Sequence, residues 1–306
     1  MMIIPKPLEK GARIAILGGS SPSSDYKAED FVRAAKEMGF TPVLYKSATA
    51  KHGYLAGTDR QRASDINAAF ADDSIDGIVA IRGGYGMPRI LPLLDFQIIR
   101  RHPKFFAGYS DVTALHTAIN QSCGFCTYHM PMVGAWAGGL DEYTLSYVKA
   151  MLFRGRAECY EDPQGAPPRK TLVPGTAEGT ICGGNLSLLA ASLGTPWEID
   201  TRGKILFLED VGEAPYRIDG MLTQLRNGGK LNDAAGIILG DWHNCRGDEN
   251  AQKNGLSLEL IFEELIVPAG RPTFMGVVCG HCSPTMSLPL GCRFRMDADA
   301  CMFTQE

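Results

Sequence analysis

Ser110 stands where an apolar run gives way to a helical pattern. Phe105, Phe106 and Ala107 read as a buried strand, residues 108–111 (GYSD) as a turn, and Val112, Leu115 and Ile119 as one helical stripe. A serine on a sharp strand-to-helix turn lifts its hydroxyl above the end of a sheet. The helix that follows points N–H groups and its positive dipole end at the same spot. Such a turn suits a nucleophile whose attack creates an oxyanion. The same residues also read as an ordinary helix N-cap, since Ser and Asp both cap well. The G-x-S-x-G elbow is only half matched, because Val112 stands in place of the second glycine.

A second loop, residues 82–86 (RGGYG), follows the strand pattern of residues 75–81. Three glycines in four positions let backbone N–H groups approach a ligand closely, and beside a serine elbow they offer a second oxyanion donor. The spacing is neither a dinucleotide fingerprint nor a phosphate loop. Residues 204–210 (KILFLED) end an apolar strand on Glu209, where a buried carboxylate needs a partner; a helix cap or a salt bridge to Arg217 would also answer. A serine nucleophile calls for a base near neutrality, and there are six histidines. Their positions narrow the base to His129, His243 or His281, and the last, in the turn of residues 280–284, is preferred.

Nine cysteines include two pairs at CxxC spacing, Cys123/Cys126 and Cys279/Cys282. The second matches the active-site string of disulfide isomerases, but there the motif opens a helix early in the chain, and here it precedes Ser283 and Pro284. Neither a redox role nor a zinc site built from these pairs with His243 and Cys245 is expected. The odd number of cysteines points to reduced thiols. A net charge of −4 with no basic cluster argues against nucleic acid, and no apolar run approaches a membrane span. The start lacks a signal-peptide layout, so a cytoplasmic protein is expected.

The elements that must position these groups alternate. Strand patterns lie at residues 14–17, 41–45, 75–81, 105–107 and 127–133, with helical patterns at 25–38, 59–70 and 141–153. Alternation predicts an α/β fold with a parallel sheet covered on both faces and the site beyond the carboxyl ends of its strands. Residues 161–179, with four prolines and three glycines, read as a linker between a domain of residues 1–160 and one of residues 180–306. The second domain reads as richer in strands: 180–182, 204–208, 235–239, 274–279 and 287–303, with helices at 185–193, 216–225 and 256–267.

RGGYG, GYSD, GGNL (residues 183–186), LEDVGEAPYRID (208–219) and GHCSP (280–284) occur in the order seen in LD-carboxypeptidases, which the chain resembles over almost its whole length. The resemblance implies a flavodoxin-like N-terminal domain, a smaller β-rich C-terminal α/β domain and a homodimer. It implies a serine peptidase with Ser110 as nucleophile, His281 as base and Glu209 as the acid that orients it. The N–H groups of Asp111 and Gly84 would form the oxyanion hole, and Arg82, Tyr85, Tyr109 and Asn185 would touch substrate. The implied substrate is a cytosolic murein tetrapeptide that loses its terminal D-alanine, with no metal or cofactor. A microcin-immunity peptidase acting on a peptidyl nucleotide, another serine esterase, and a non-catalytic ligand-binding or thiol protein are the competing readings.

Overall fold

The computed structural model describes residues 2–247 and 255–306, and the chain forms two compact units. The first comprises Met1–Ala157 with Ser287–Gly291, the second Glu158–Met286 with Cys292–Glu306.

In the first unit the apolar runs become short strands. They are β1 (Arg13–Leu17), β2 (Thr41–Leu44), β3 (Gly77–Ala80), β4 (Phe105–Gly108) and β5 (Thr127–His129). Of these, β3, β4 and β5 are buried throughout and β2 is only partly covered. All five are parallel and lie in the order β5-β4-β3-β1-β2, the arrangement of a flavodoxin-like sheet. Strand order reverses between β1 and β3, and the loops after β1, β3 and β4 leave the sheet around that point. Helices form the crossovers because their stripes repeat at helical spacing. In the Asp59–Ala71 helix, capped by Thr58 through the Gln61 N–H (3.2 Å), Ile66 and Phe70 are wholly buried.

The second unit is built on a mixed sheet of seven strands. They are β6 (Lys170–Val173), β7 (Thr176–Asn185), β8 (Ile205–Val211), β9 (Gly236–His243), β10 (Thr273–Met275), β12 (Arg293–Asp297) and β13 (Met302–Gln305). β7 to β10 run parallel, and β6, β12 and β13 pair antiparallel at the flanks. Leu206, Leu208 and Leu239 pack with Ile218, Leu222 and Leu225 of the Pro215–Asn227 helix and with Phe262. Each such side chain stabilises the fold by about 1.5–3 kcal/mol.

Two segments differ from the sequence reading. Residues 161–179 hold all of β6 and the start of β7, so this proline-rich stretch is partly sheet. Both strands lie in its second half, away from the prolines at 163, 167 and 168, where β6 pairs at the sheet edge. The strand pattern of residues 287–303 is three strands, not one. Its first piece, β11 (Leu288–Leu290), pairs antiparallel with β5 in the first unit's sheet. Apolar alternation marks a strand but does not name the edge it joins.

His116, on the Thr113–Cys123 helix, is wholly buried, and its Nε2–H donates to the carbonyl of Gly108 at 2.9 Å. Burial holds its pKa down at about 4, below the usual 6.5, despite that bond, so the ring stays neutral in the native state. The unfolded chain takes up this proton below pH 6.5 and the folded one does not. Stability is therefore full above that pH and is expected to fall by about 3 kcal/mol as pH drops toward 4. Urea titrations across this range check it: His116→Gln should remove close to one proton from the slope of stability against pH.

Candidate active site

Ser110 follows the end of β4 after one residue, Tyr109, and its backbone is left-handed, with φ of 64°. For a residue with a Cβ this costs on the order of 1–3 kcal/mol and persists only where the surroundings over-determine it. Capping does not explain it. Ser110–Val112 form a 3-10 turn before the Thr113–Cys123 helix, and neither element has a side-chain cap hydrogen bond at its start. The hydroxyl is instead presented at a half-buried position.

The surroundings that hold this turn come from the glycine loop. A Cβ on Gly83 would lie 2.7 Å from Ser110 Cβ and 2.9 Å from its Oγ, so only glycine lets the two loops meet. The Asp111 carboxylate, 1% exposed, accepts from the Met87 N–H at 2.7 Å and ties the elbow to the far end of the same loop. Burial pushes its pKa up, while the Met87 N–H and the charge of Arg62 act against that. Ser21 closes the other side: its N–H donates to the Gly83 carbonyl at 3.3 Å, and its Oγ accepts from the Tyr85 N–H at 3.1 Å. Arg62 is wholly buried and donates to the carbonyls of Gly86 (2.8 Å) and Gly19, with Asp59 as its ion-pair partner. Sequence reasoning missed Arg62, although it occupies the same i, i+4, i+8 stripe as Ile66 and Phe70 and so had to point inward.

Glu209 is wholly buried near the end of β8, where the register with β9 shifts between Leu208 and Asp210. Its Oε2 lies 2.7 Å from His281 Nδ1, in the loop after β10. Gly280, with φ of 142°, permits this: a Cβ there would sit 2.9 Å from Glu209 Oε2. Asp210, next in the strand, accepts from Asn185 Nδ2 (3.0 Å), Ser187 N–H (2.9 Å), Ser187 Oγ (2.7 Å) and its neighbour Val211 N–H (2.8 Å). Asn185, opposite Glu209 in the β7–β8 register, also caps the Leu186–Ser192 helix and is 3% exposed. It thus braces the carboxylates from within the second unit. Burial acts to lower the pKa of His281. The Glu209 hydrogen bond and charge, with the charges of Asp210 and Asp241, outweigh burial and leave the pKa above 6.5.

Of the three histidines left open by the sequence, His129 is buried on β5 with its ring 5.7 Å from that of Tyr109, and His243 is exposed at the end of β9. His281 is the one within hydrogen-bonding distance of Glu209. Among the other expected contacts, Tyr109 is half-buried beside Ser110, Arg82 reaches the Pro22 carbonyl at 3.4 Å, and Gly84 and Tyr85 are exposed on the loop. Ser110, Asp111, Gly84, Arg82, Tyr85 and Tyr109 belong to the first unit; Glu209, His281 and Asn185 belong to the second.

The cysteines at CxxC spacing sit in no helix start. Cys279 is wholly buried and donates to the Met286 carbonyl at 3.5 Å; burial raises its pKa well above the usual value and that of Cys282 to about 12. Thiols so protonated are poor nucleophiles and poor metal ligands.

Residues 14–130 match the profile of the LD-carboxypeptidase N-terminal domain, and residues 178–296 that of the LD-carboxypeptidase C-terminal domain. The chain is 44% identical over 294 residues to a Bacillus subtilis protein named "Probable murein peptide carboxypeptidase", covering 96% of this chain and 91% of that one. It resembles a crystal structure of muramoyltetrapeptide carboxypeptidase from Oxalobacter formigenes with a TM-score of 0.79 at 28% identity, covering 95% and 97% of the two chains. It also resembles the microcin C7 self-immunity protein MccF, in an inactive mutant apo state, with a TM-score of 0.88 at 25% identity over 99% and 98%. Among the described residues no helix is long and apolar enough to cross a membrane.

The tight fit of Gly83 against Ser110 has a measurable consequence. Gly83→Ala should lower the thermal transition, because the added methyl would meet Ser110 Cβ at 2.7 Å and the Tyr109 carbonyl oxygen at 3.3 Å, so the backbone of one loop must give. Displacing the serine by a fraction of an ångström to 1 Å should lower kcat on a peptide substrate by about 10- to 100-fold. Thermal unfolding and steady-state kinetics on the same preparation check both halves.

Proposed function

The chain belongs to the LD-carboxypeptidase family, and from that premise we propose that it hydrolyses the L,D-peptide bond ahead of the terminal D-alanine of a murein tetrapeptide. The family makes it a serine-type peptidase. The substrate, and the roles of individual residues, are our reading. The observation that carries it is the backbone of Ser110: a left-handed serine at a strand end, packed on a glycine that tolerates no side chain. Strain of that kind without a capping bond in return favours a nucleophile.

In this mechanism His281 Nε2 takes the Ser110 proton as Oγ attacks the scissile carbonyl carbon. Glu209 holds Nδ1–H, fixing the tautomer and stabilising the imidazolium. The oxyanion is met by the N–H groups of Asp111 and Gly84. The imidazolium then protonates the leaving amine, D-alanine departs, and water, activated by the neutral histidine, releases the shortened peptide from the serine ester. Arg82, Tyr85 and Tyr109 line the approach, and Asn185 acts through Glu209. The reading extends to a cytoplasmic homodimer that uses no metal or cofactor; sedimentation equilibrium tests the oligomeric state.

Ser110→Ala should lower turnover of the tetrapeptide on the order of a thousandfold or more with the fold intact, because triad members act as a unit. Mass spectrometry following loss of D-alanine is the assay. Near wild-type turnover in the variant would remove Ser110 from the mechanism, and cleavage of an aminoacyl nucleotide in place of the tetrapeptide would move the enzyme to the immunity branch.

The base must be neutral to accept the proton, and its pKa is raised by Glu209. The profile of kcat/KM should therefore climb with pH through a limb above 6.5. Glu209→Gln should move that limb to lower pH while cutting the rate, because the charge that held the proton on His281 is gone. A limb that stays in place in Glu209→Gln would assign the titration to another group.

A further inference from the structure

We propose that the Asp162–Arg169 ion pair, on the stretch that runs into β6, is a positioning device for the base: it fixes the backbone from which His281 reaches Glu209. The inference rests on the peptidase reading above and adds to it two residues that act through the loop carrying the histidine. All the residues concerned belong to the second unit.

β10 ends at Met275, and the chain must then leave the sheet to bring His281 to Glu209. The N–H groups of Gly276 and Val277 both donate to the Leu239 carbonyl on β9, at 3.1 and 3.2 Å. The next N–H, that of Val278, goes instead to Asp162 Oδ1 at 2.9 Å. A carboxylate thus takes the place of the next strand carbonyl, and a charged acceptor holds an N–H more firmly than a neutral one. The Val278 carbonyl in turn accepts from the Met286 N–H at 2.9 Å, the Cys279 carbonyl from the Asp241 N–H at 2.9 Å, and Thr285 Oγ1 from the Gly280 N–H at 3.1 Å. Val278 is therefore tied down through both of its backbone polar groups, three residues before the histidine.

The acceptor is itself held. Arg169 donates to Asp162 Oδ2 from Nε at 2.6 Å and to Oδ1 from Nη2 at 3.0 Å, the two-point grip by which a guanidinium fixes the plane of a carboxylate. It also donates to the carbonyls of Tyr160 (2.7 Å) and Cys301 (2.9 Å). Its guanidinium lies over the rings of Phe303, at 5.4 Å, and of Phe274 in β10, at 6.0 Å. Sheet register puts it there: Lys170 pairs with Met275, so Arg169 falls beside Gly276, where the chain leaves β10.

The two side chains are 13% and 9% exposed, so desolvation offsets much of what their attraction contributes to stability. What the pair supplies without such an offset is direction. Three residues span at most about 11 Å, short enough for a displacement at Val278 to pass to the imidazole. A misplacement of about 1 Å at a reacting group costs about 100-fold in rate.

The test separates place from charge. Asp162→Asn keeps an acceptor oxygen for the Val278 N–H and gives up the charge, whereas Asp162→Glu keeps the charge and pushes the acceptor out by one methylene, about 1.5 Å. Asp162→Asn should stay within about threefold of the wild-type kcat on the tetrapeptide, and Asp162→Glu should fall about 10- to 100-fold, with KM little changed in both. Arg169→Lys keeps the charge but loses the two-point grip and should fall with Asp162→Glu, so a variant that does not fold at one position leaves the other to decide. A pair that serves stability alone predicts the reverse order, Asp162→Glu above Asp162→Asn. The imidazole signal of His281, followed by NMR against pH and assigned with His281→Gln, gives a readout that needs no turnover. Burial lowers the pKa of this ring, while the Glu209 hydrogen bond and charge and the charges of Asp210 and Asp241 raise it; the variants alter none of these groups, and Cys282 beside it keeps its proton up to about 12. A loosened Glu209 contact should therefore lower the pKa in Asp162→Glu and Arg169→Lys and leave it in place in Asp162→Asn. Wild-type kcat and pKa in Asp162→Glu and Arg169→Lys, or a loss in Asp162→Asn as deep as in Asp162→Glu, would overturn the positioning role. If wild type cleaves no tetrapeptide, the peptidase reading falls, and the titration still decides: the same pattern of pKa values supports the positioning role, and one value in all the proteins rejects it.

Discussion

A serine held at a positive φ is the constraint on which the first unit depends. Its backbone costs on the order of 1–3 kcal/mol, and the Ser110–Val112 turn has no side-chain cap to offset that. The compensation is spread over neighbours. Gly83 gives up a side chain so that the loops can touch, and Asp111 spends a buried carboxylate on the Met87 N–H. His116 anchors the carbonyl just before the elbow, and Arg62 fastens the loops after β1 and β3 from below. The contacts of Asp111, His116 and Arg62 are hydrogen bonds in a dry place, where an unmade one is expensive. The elbow and its brackets therefore stand or fall together.

The second unit solves a different problem, the desolvation of a carboxylate. Glu209 is wholly buried, and a charge there is tolerated only with a partner. His281 is that partner, and Asp210, Asn185 and Ser187 supply the supporting network one residue along. The raised affinity of His281 for its proton is the electrostatic counterpart of the same contact. Burial opposes this charge pair and geometry favours it, which is why Gly280 matters: a side chain there would press on the carboxylate.

The elements of the first unit were legible because their physics is local. The apolar runs that became β1, β3 and β4 and the stripe of the Asp59–Ala71 helix need no partner to be read, and the strand–helix alternation dictates a parallel sheet. The turn at residues 108–111 was legible as a nucleophile elbow or a cap, and backbone geometry speaks against the cap: neither the turn nor the helix after it has a side-chain cap bond, and the serine is left-handed. The same local reasoning misjudged residues 161–179, because proline counts say nothing about which half of a stretch pairs at a sheet edge. It also merged β11 with later strands, because a three-residue apolar strand carries no mark of the sheet it completes.

By itself, then, the sequence determined the α/β class, the parallel character of the first sheet, the family motifs and the short set of groups able to do acid–base chemistry. Only the tertiary structure decided which of His129, His243 and His281 meets Glu209, that Asn185 is a buried brace, and that Arg62 and His116 hold the elbow from inside. The division has one cause. Periodicity and turn chemistry act over a few residues and are written in the order of the chain. A pairing such as Glu209 with His281 joins positions 72 residues apart, and only the closing of the fold brings two such side chains to 2.7 Å.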